Sequence, residues 1–117
     1  MPSPSKIKGN KFERDCVNAA KEYGIKAKRA WGSDGRSMGF EEDVDMLIDG
    51  NIKAQCKIRK KLAKWVLPPE SCNIAIVRED RGNTYITMEY DEYLSMLRVI
   101  KNARDIVGDI KWTRVTL

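Results

Sequence analysis

The chain has 117 residues, enough for one hydrophobic core and too few for two. Its 42% hydrophobic and 33% charged residues describe an ordinary globular protein, and a net charge of +5 leans towards a polyanionic partner, most simply nucleic acid. With no histidine in the sequence, His-based acid–base catalysis and His–metal ligation are excluded, and no apolar run reaches transmembrane length.

Met1-Pro2-Ser3-Pro4-Ser5 opens the chain as a short polar lead-in without a signal-peptide pattern, and residues 1–8 are expected to be flexible. Asn10 is a plausible N-cap for a first helix, in which Phe12, Cys16, Ala19, Ala20 and Tyr23 recur at helical spacing until Gly24. Glu13 stands three residues after Asn10, the spacing of a capping box, and a functional role is the competing reading. Residues 25–31 follow as a strand with Ile25, Ala27 and Arg29 on alternate positions. Residues 32–39 form a glycine-rich loop that lacks Walker spacing, although Arg29, Ser33 and Arg36 can reach a phosphate from it.

Residues 43–57 predict a hairpin. Val44, Met46 and Ile48 alternate with Asp43, Asp45 and Leu47; beyond the turn Asp49-Gly50-Asn51, Ile52, Ala54 and Cys56 alternate with Lys53, Gln55 and Lys57. Pairing Ile48 with Ile52 sets Met46 against Ala54, Asp45 against Gln55 and Asp43 against Lys57. A carboxylate, an amide oxygen and an ammonium then converge on one polar patch. Such oxygens suit magnesium, with Asp43 or Glu13 as a further ligand and Lys57 beside a phosphate. A solvent-facing strand pair with an ordinary Asp–Lys attraction accounts for the same pattern.

Arg59-Lys60-Lys61-Leu62-Ala63-Lys64 then reads as a short amphipathic helix in which Leu62, Trp65 and Val66 share a face. Its cations are either a solvated surface or a grip on backbone phosphate. Pro68-Pro69 ends it. Residues 73–77 suit a buried strand, residues 84–88 a returning one, and Asp91 a cap for the last helix. That helix carries the stripe Leu94, Leu97, Ile100, Ala103, Ile106 and Val107, with Gly108 as its stop. Residues 109–117 form a short strand or packed tail. Cys16, Cys56 and Cys72 are odd in number and unclustered, each within an apolar pattern, and read as reduced core thiols of a cytoplasmic protein.

These motifs together resemble the PD-(D/E)xK nuclease superfamily: a helix glutamate (Glu13), an aspartate on the second strand (Asp45) and Gln55-x-Lys57 on the third. Gly9-Asn10-Lys11-Phe12-Glu13-Arg14-Asp15 is similar to the opening helix of archaeal-type Holliday junction resolvases. Arg29-Ala30-Trp31-Gly32-Ser33-Asp34-Gly35 is similar to their arginine and Ser-x-Gly segment. Two features depart from the pattern. The proline before the motif aspartate is missing, which leaves Asp43 beside Asp45 as a candidate. Gln55 replaces the usual acidic residue, as in Mrr-like nucleases.

The resemblance implies one α/β domain over residues 1–117, with a mixed sheet of about five strands flanked by helices in the order α-β-β-β-α-β-β-α. It implies hydrolysis of DNA phosphodiesters at four-way junctions, with Mg²⁺ (or Mn²⁺) held by Glu13, Asp45 and Gln55, and Lys57 beside the scissile phosphate. Arg29, Ser33, Arg36, Arg59, Lys60, Lys61 and Lys64 would seat the DNA backbone. A homodimer is implied, with Trp112 and the tail as candidates for its interface, working in the cytoplasm on nucleoid DNA or, for a viral protein, in the host cytoplasm. An Mrr-like duplex endonuclease and a non-catalytic DNA-binding module are the alternatives.

Overall fold

The computed structural model describes residues 3–30 and 35–107. Ser33 with the rest of residues 31–34, Gly108, Trp112 and the tail therefore lie outside the described residues, whereas residues 35–39 of the expected glycine-rich loop lie within them. The first helix, α1 (Pro4–Glu22), begins earlier than its apolar spacing predicts. Ser3 is the N-cap, its hydroxyl accepting the Lys6 N–H at 3.2 Å, and Pro4 occupies the first turn, where its missing N–H costs nothing. Asn10 is consequently an interior residue, and the capping-box role for Glu13 is ruled out. The residues expected to be a flexible lead-in are helical from Pro4 onward. At the other end the Gly24 N–H bonds to Lys21 C=O and the Ile25 N–H to Ala20 C=O, a Schellman closure that turns the chain into the first strand.

Strands β1 (Ala27–Arg29), β2 (Met46–Ile48) and β3 (Ile52–Ala54) form one antiparallel sheet in that order. The expected register holds where the ladder exists, with Ile48 opposite Ile52 and Met46 opposite Ala54. Asp49 and Gly50 both have positive φ, 55° and 81°, and Asn51 N–H bonds to Ile48 C=O, so the hairpin closes on the turn its sequence demands. Before β2 the chain passes through a 3₁₀ turn, Gly35–Met38. Gly35 is buried there, and a Cβ at this position would stand 2.7 Å from Val44 Cβ and collide with the Glu41 carbonyl, so only glycine fits.

Strands β4 (Ile74–Arg78) and β5 (Thr84–Met88) pair antiparallel as a separate hairpin, with Ile76 opposite Ile86. The α/β character is as expected, but the described strands make two antiparallel sheets of three and two strands and not a single mixed sheet of five. Helix α2 (Tyr90–Val107) is the last described element; Asp91 lies inside its first turn and not at its cap. The predicted amphipathic helix at residues 59–66 is reduced to one 3₁₀ turn, Lys64–Val66, with Leu62 and Trp65 exposed. Pro68-Pro69 bars any continuation.

The core lies between α1, the three-stranded sheet and α2. Cys16, Val17 and Ala20 of α1 meet Ile25, Met46 and Ile48, with Leu94 and Leu97 from α2 completing the cluster. Direct pairing of Ala27 with Ile48 and of Arg29 with Met46 puts both β1 residues on the face that α1 covers. The later strands are less buried than their composition predicts: Ile74, Ile76, Tyr85 and Ile86 are exposed, as is Ile106 near the end of α2. None of the described helices is long and apolar enough to cross a membrane.

Candidate active site

Glu13, Cys16, Val17 and Ala20 are spaced as one helical stripe, and all four are buried. Glu13 is thus the polar first member of an otherwise apolar face, and it needs a partner. Arg29 supplies one: its Nε donates to Glu13 Oε1 at 2.9 Å, and a terminal guanidinium nitrogen donates to Asn10 Oδ1 at 3.0 Å. The alternation of β1 aims Arg29 at α1, so this arginine, expected to meet phosphate, orients the glutamate instead. The interior position of Asn10 has the same explanation, since it shares the guanidinium one turn before Glu13.

Asp45 lies just beyond the ladder. Its N–H bonds to Ala54 C=O and its own carbonyl accepts the Ala30 N–H, so the backbone is clamped between the neighbouring strands. Its carboxylate accepts the Cys56 N–H at 2.7 Å through Oδ2. Strict alternation would turn Asp45 away from Met46, yet both are buried. The side chain folds down onto the opposite strand because a backbone donor, not Gln55, answers it. The cross-strand pairs Asp45–Gln55 and Asp43–Lys57 are therefore absent from the described ladder, which ends at Met46 and Ala54.

The side chains nonetheless converge. One cavity of about 610 Å³ is lined by Glu13, Glu42, Asp43, Asp45, Gln55, Cys56 and Lys57, together with Ser5, Lys8, Arg59 and Lys60. Both candidate aspartates, Asp43 and Asp45, line it, so the cavity does not choose between them; burial and the bond to Cys56 single out Asp45 as the fixed one. Lys61, Lys64 and Arg36 are exposed and outside the lining. Ser5, Lys8 and Glu42 escape the sequence reading. Ser3-Pro4 is the signal that would have extended α1 far enough to bring Lys8 into view.

Acidic and basic groups both line this space, which can take up a cation and a phosphate together. The donors are oxygens throughout, two fixed carboxylates and the exposed Gln55 amide, the chemistry of a hard cation such as magnesium. Among the described residues no three His, Cys, Asp or Glu side chains gather closely enough to hold a metal without help from another donor.

A second cleft, about 690 Å³, adjoins on the core side and is lined by Cys16, Met46, Cys56, Met88 and Tyr90 among others. The Tyr90 hydroxyl donates to Cys16 C=O at 2.8 Å, and burial pushes that phenol well above its ordinary range. Cys16 and Cys56 both line this cleft, and the neighbouring Cys16 thiol, then burial and nearby negative charge, raise Cys56. Family models, curated proteins and solved structures yield no match to this chain.

Proposed function

We propose that this chain is a magnesium-dependent endonuclease of the PD-(D/E)xK type, acting on four-way DNA junctions. The observation that carries the reading is the one cavity that receives Glu13 from α1, Asp45 from the approach to β2, and Gln55 and Lys57 from the chain beyond β3. In this reading Glu13, Asp45 and Gln55 hold the ion, with Asp43 and Glu42 within the same space and phosphate oxygens completing the set. When bound, the ion neutralises charge on the scissile phosphate and makes water a better nucleophile. Manganese substitutes because its oxygen preference is similar.

The chain's own groups do the rest. Arg29 and Asn10 fix Glu13, and the Cys56 N–H fixes Asp45, so these carboxylates are in place before substrate arrives. Lys57 offers its ammonium to the charge that develops on the phosphate. Lys8, Arg59 and Lys60 seat the neighbouring phosphates, and Lys61, Lys64 and Arg36 extend the basic surface without reading bases. The reading carries a restriction-endonuclease-like architecture, of which the described residues have α1, a three-stranded antiparallel sheet, a two-stranded hairpin and α2. Symmetric cutting of a junction calls for a second copy of the chain. The exposed apolar residues Ile74, Ile76 and Ile86 on β4 and β5 are the surface we assign to that dimer.

Gln55 favours a second reading, an Mrr-like endonuclease acting on duplex DNA. End-labelled four-way junction and matched linear duplex, each incubated with the protein and Mg²⁺ or Mn²⁺, separate the two. Paired nicks in the junction alone, abolished by EDTA, support the resolvase. Cutting of both substrates supports the duplex enzyme. Binding without cutting in either metal would sink both and leave a DNA-binding module.

A further inference from the structure

Cys16 and Cys56 are forty residues apart in sequence, yet Cys56 packs against the buried cluster that holds Cys16, and both line the core cleft beside the candidate active site. Helical spacing puts Cys16 on the stripe that begins with Glu13, one turn away. Continued alternation past β3 puts Cys56 on the same face as Ile52 and Ala54, turned towards α1 and half-buried. Both side chains line the second cleft, where a small molecule can reach the pair, and Cys56 also lines the first. Cys72, by contrast, is exposed and remote in sequence from both.

We propose that Cys16 and Cys56 form a reversible disulfide site, closed by a glutathione-type disulfide, that ties α1 to the segment carrying Gln55 and Lys57. One thiol gives up its proton and attacks the oxidant, releasing a first glutathione thiol and leaving a mixed disulfide. The second thiol attacks that sulfur and releases the second glutathione. Two protons and two electrons pass from the protein to the oxidant, and one protein S–S bond is gained.

Closing the bond draws the two sulfurs in to about 2.05 Å. The Cys56 backbone, whose N–H holds the Asp45 carboxylate at 2.7 Å, has to follow. Misplacing a catalytic group by about 1 Å can cost about 10²-fold in rate. Oxidation is therefore expected to switch cleavage off and reduction to restore it. The bond itself is independent of the endonuclease reading; only its effect on cleavage rests on it.

The test treats the full chain with oxidised glutathione, alkylates the remaining thiols and maps the peptides. The expected product has lost two hydrogens, carries a Cys16–Cys56 cross-link and is alkylated at Cys72 only. The Cys72→Ser chain forms the same link, whereas Cys16→Ala does not. Free, alkylatable Cys16 and Cys56 with glutathione confined to Cys72 would overturn the proposal, and mapping the native sequence gives this answer even if a variant folds poorly. In the cleavage assay the oxidised native chain should lose about 10²-fold and recover with dithiothreitol, while Cys16→Ala stays active throughout. A cross-linked chain that cuts at the full rate overturns the switch. Cross-linking in a chain that never cuts, reduced or oxidised, overturns the endonuclease reading and leaves the disulfide site standing.

Discussion

Lys57 and Asp45 line the same cavity with opposite charges and different anchoring. Lys57 is exposed, while Asp45 is buried and held by the Cys56 N–H. Replacing Lys57 with Ala removes a charge that matters only once the phosphate becomes more negative, so single-turnover cleavage should fall about 10²–10³-fold while junction binding persists. Asp45→Asn keeps an oxygen for the Cys56 N–H, so its stability should stay within about 1 kcal/mol of the native chain. Its cleavage should nevertheless disappear, and denaturation alongside the cleavage assay separates the two effects. These two residues were legible in the sequence because the hairpin pattern is strong. Arg29 was half legible. Its place in the alternation of β1 pointed it at a buried face, but only the packing of α1 on β1 reveals that Glu13 waits there.

An ion pair joins the hairpin to α2. Arg104 donates to both carboxylate oxygens of Asp49, at 2.6 and 2.8 Å, and the Asp49 side chain is only 2% exposed. Arg104→Ala strands that charge in the interior and should destabilise the fold by about 3 kcal/mol, read from urea denaturation. Tyr90 fastens the same helix to α1, and burial raises its phenol above the ordinary value of about 10. The folded state therefore holds the proton more tightly than the unfolded chain. This stabilisation is complete below pH about 10 and declines as pH rises towards the folded value. Tyr90→Phe should flatten that part of the decline in a stability-versus-pH series, at a cost of about 1 kcal/mol for the lost hydrogen bond. The last helix was read correctly in kind but not at its start. Glu89, whose carbonyl accepts the Tyr93 N–H, precedes a helix that already includes Asp91. The short helix at residues 59–66 failed because its apolar face, Leu62 and Trp65 above all, finds no core to pack against and so stays exposed.

At the scale of the molecule, α1 and the three-stranded sheet make the candidate site, while β4 and β5 present an apolar surface that the described chain leaves open. Ile76 faces Ile86 across that hairpin, and both are more than half exposed. If this face joins two copies, Ile76→Asp should shift the chain from dimer to monomer in sedimentation without lowering the stability of the separated monomer. The apolar run at residues 73–77 had pointed to a buried strand. Periodicity cannot distinguish burial inside one chain from burial between two, so the composition was informative and the location was not. The separation of the sheets was illegible for a related reason: sequence patterns fix each hairpin by its own turn, but nothing local dictates whether two hairpins join edge to edge.

The central claim is that the acidic part of the cavity holds a cation against bound DNA. Electron paramagnetic resonance of Mn²⁺ tests it directly, using the Lys57→Ala chain on a four-way junction, where the metal ligands are intact and cutting is suppressed. Adding Asp45→Asn to that chain should release one tightly bound ion per protomer. Equal manganese in the two complexes would show that Asp45 holds no metal and that the cavity is not a hydrolytic centre of this kind.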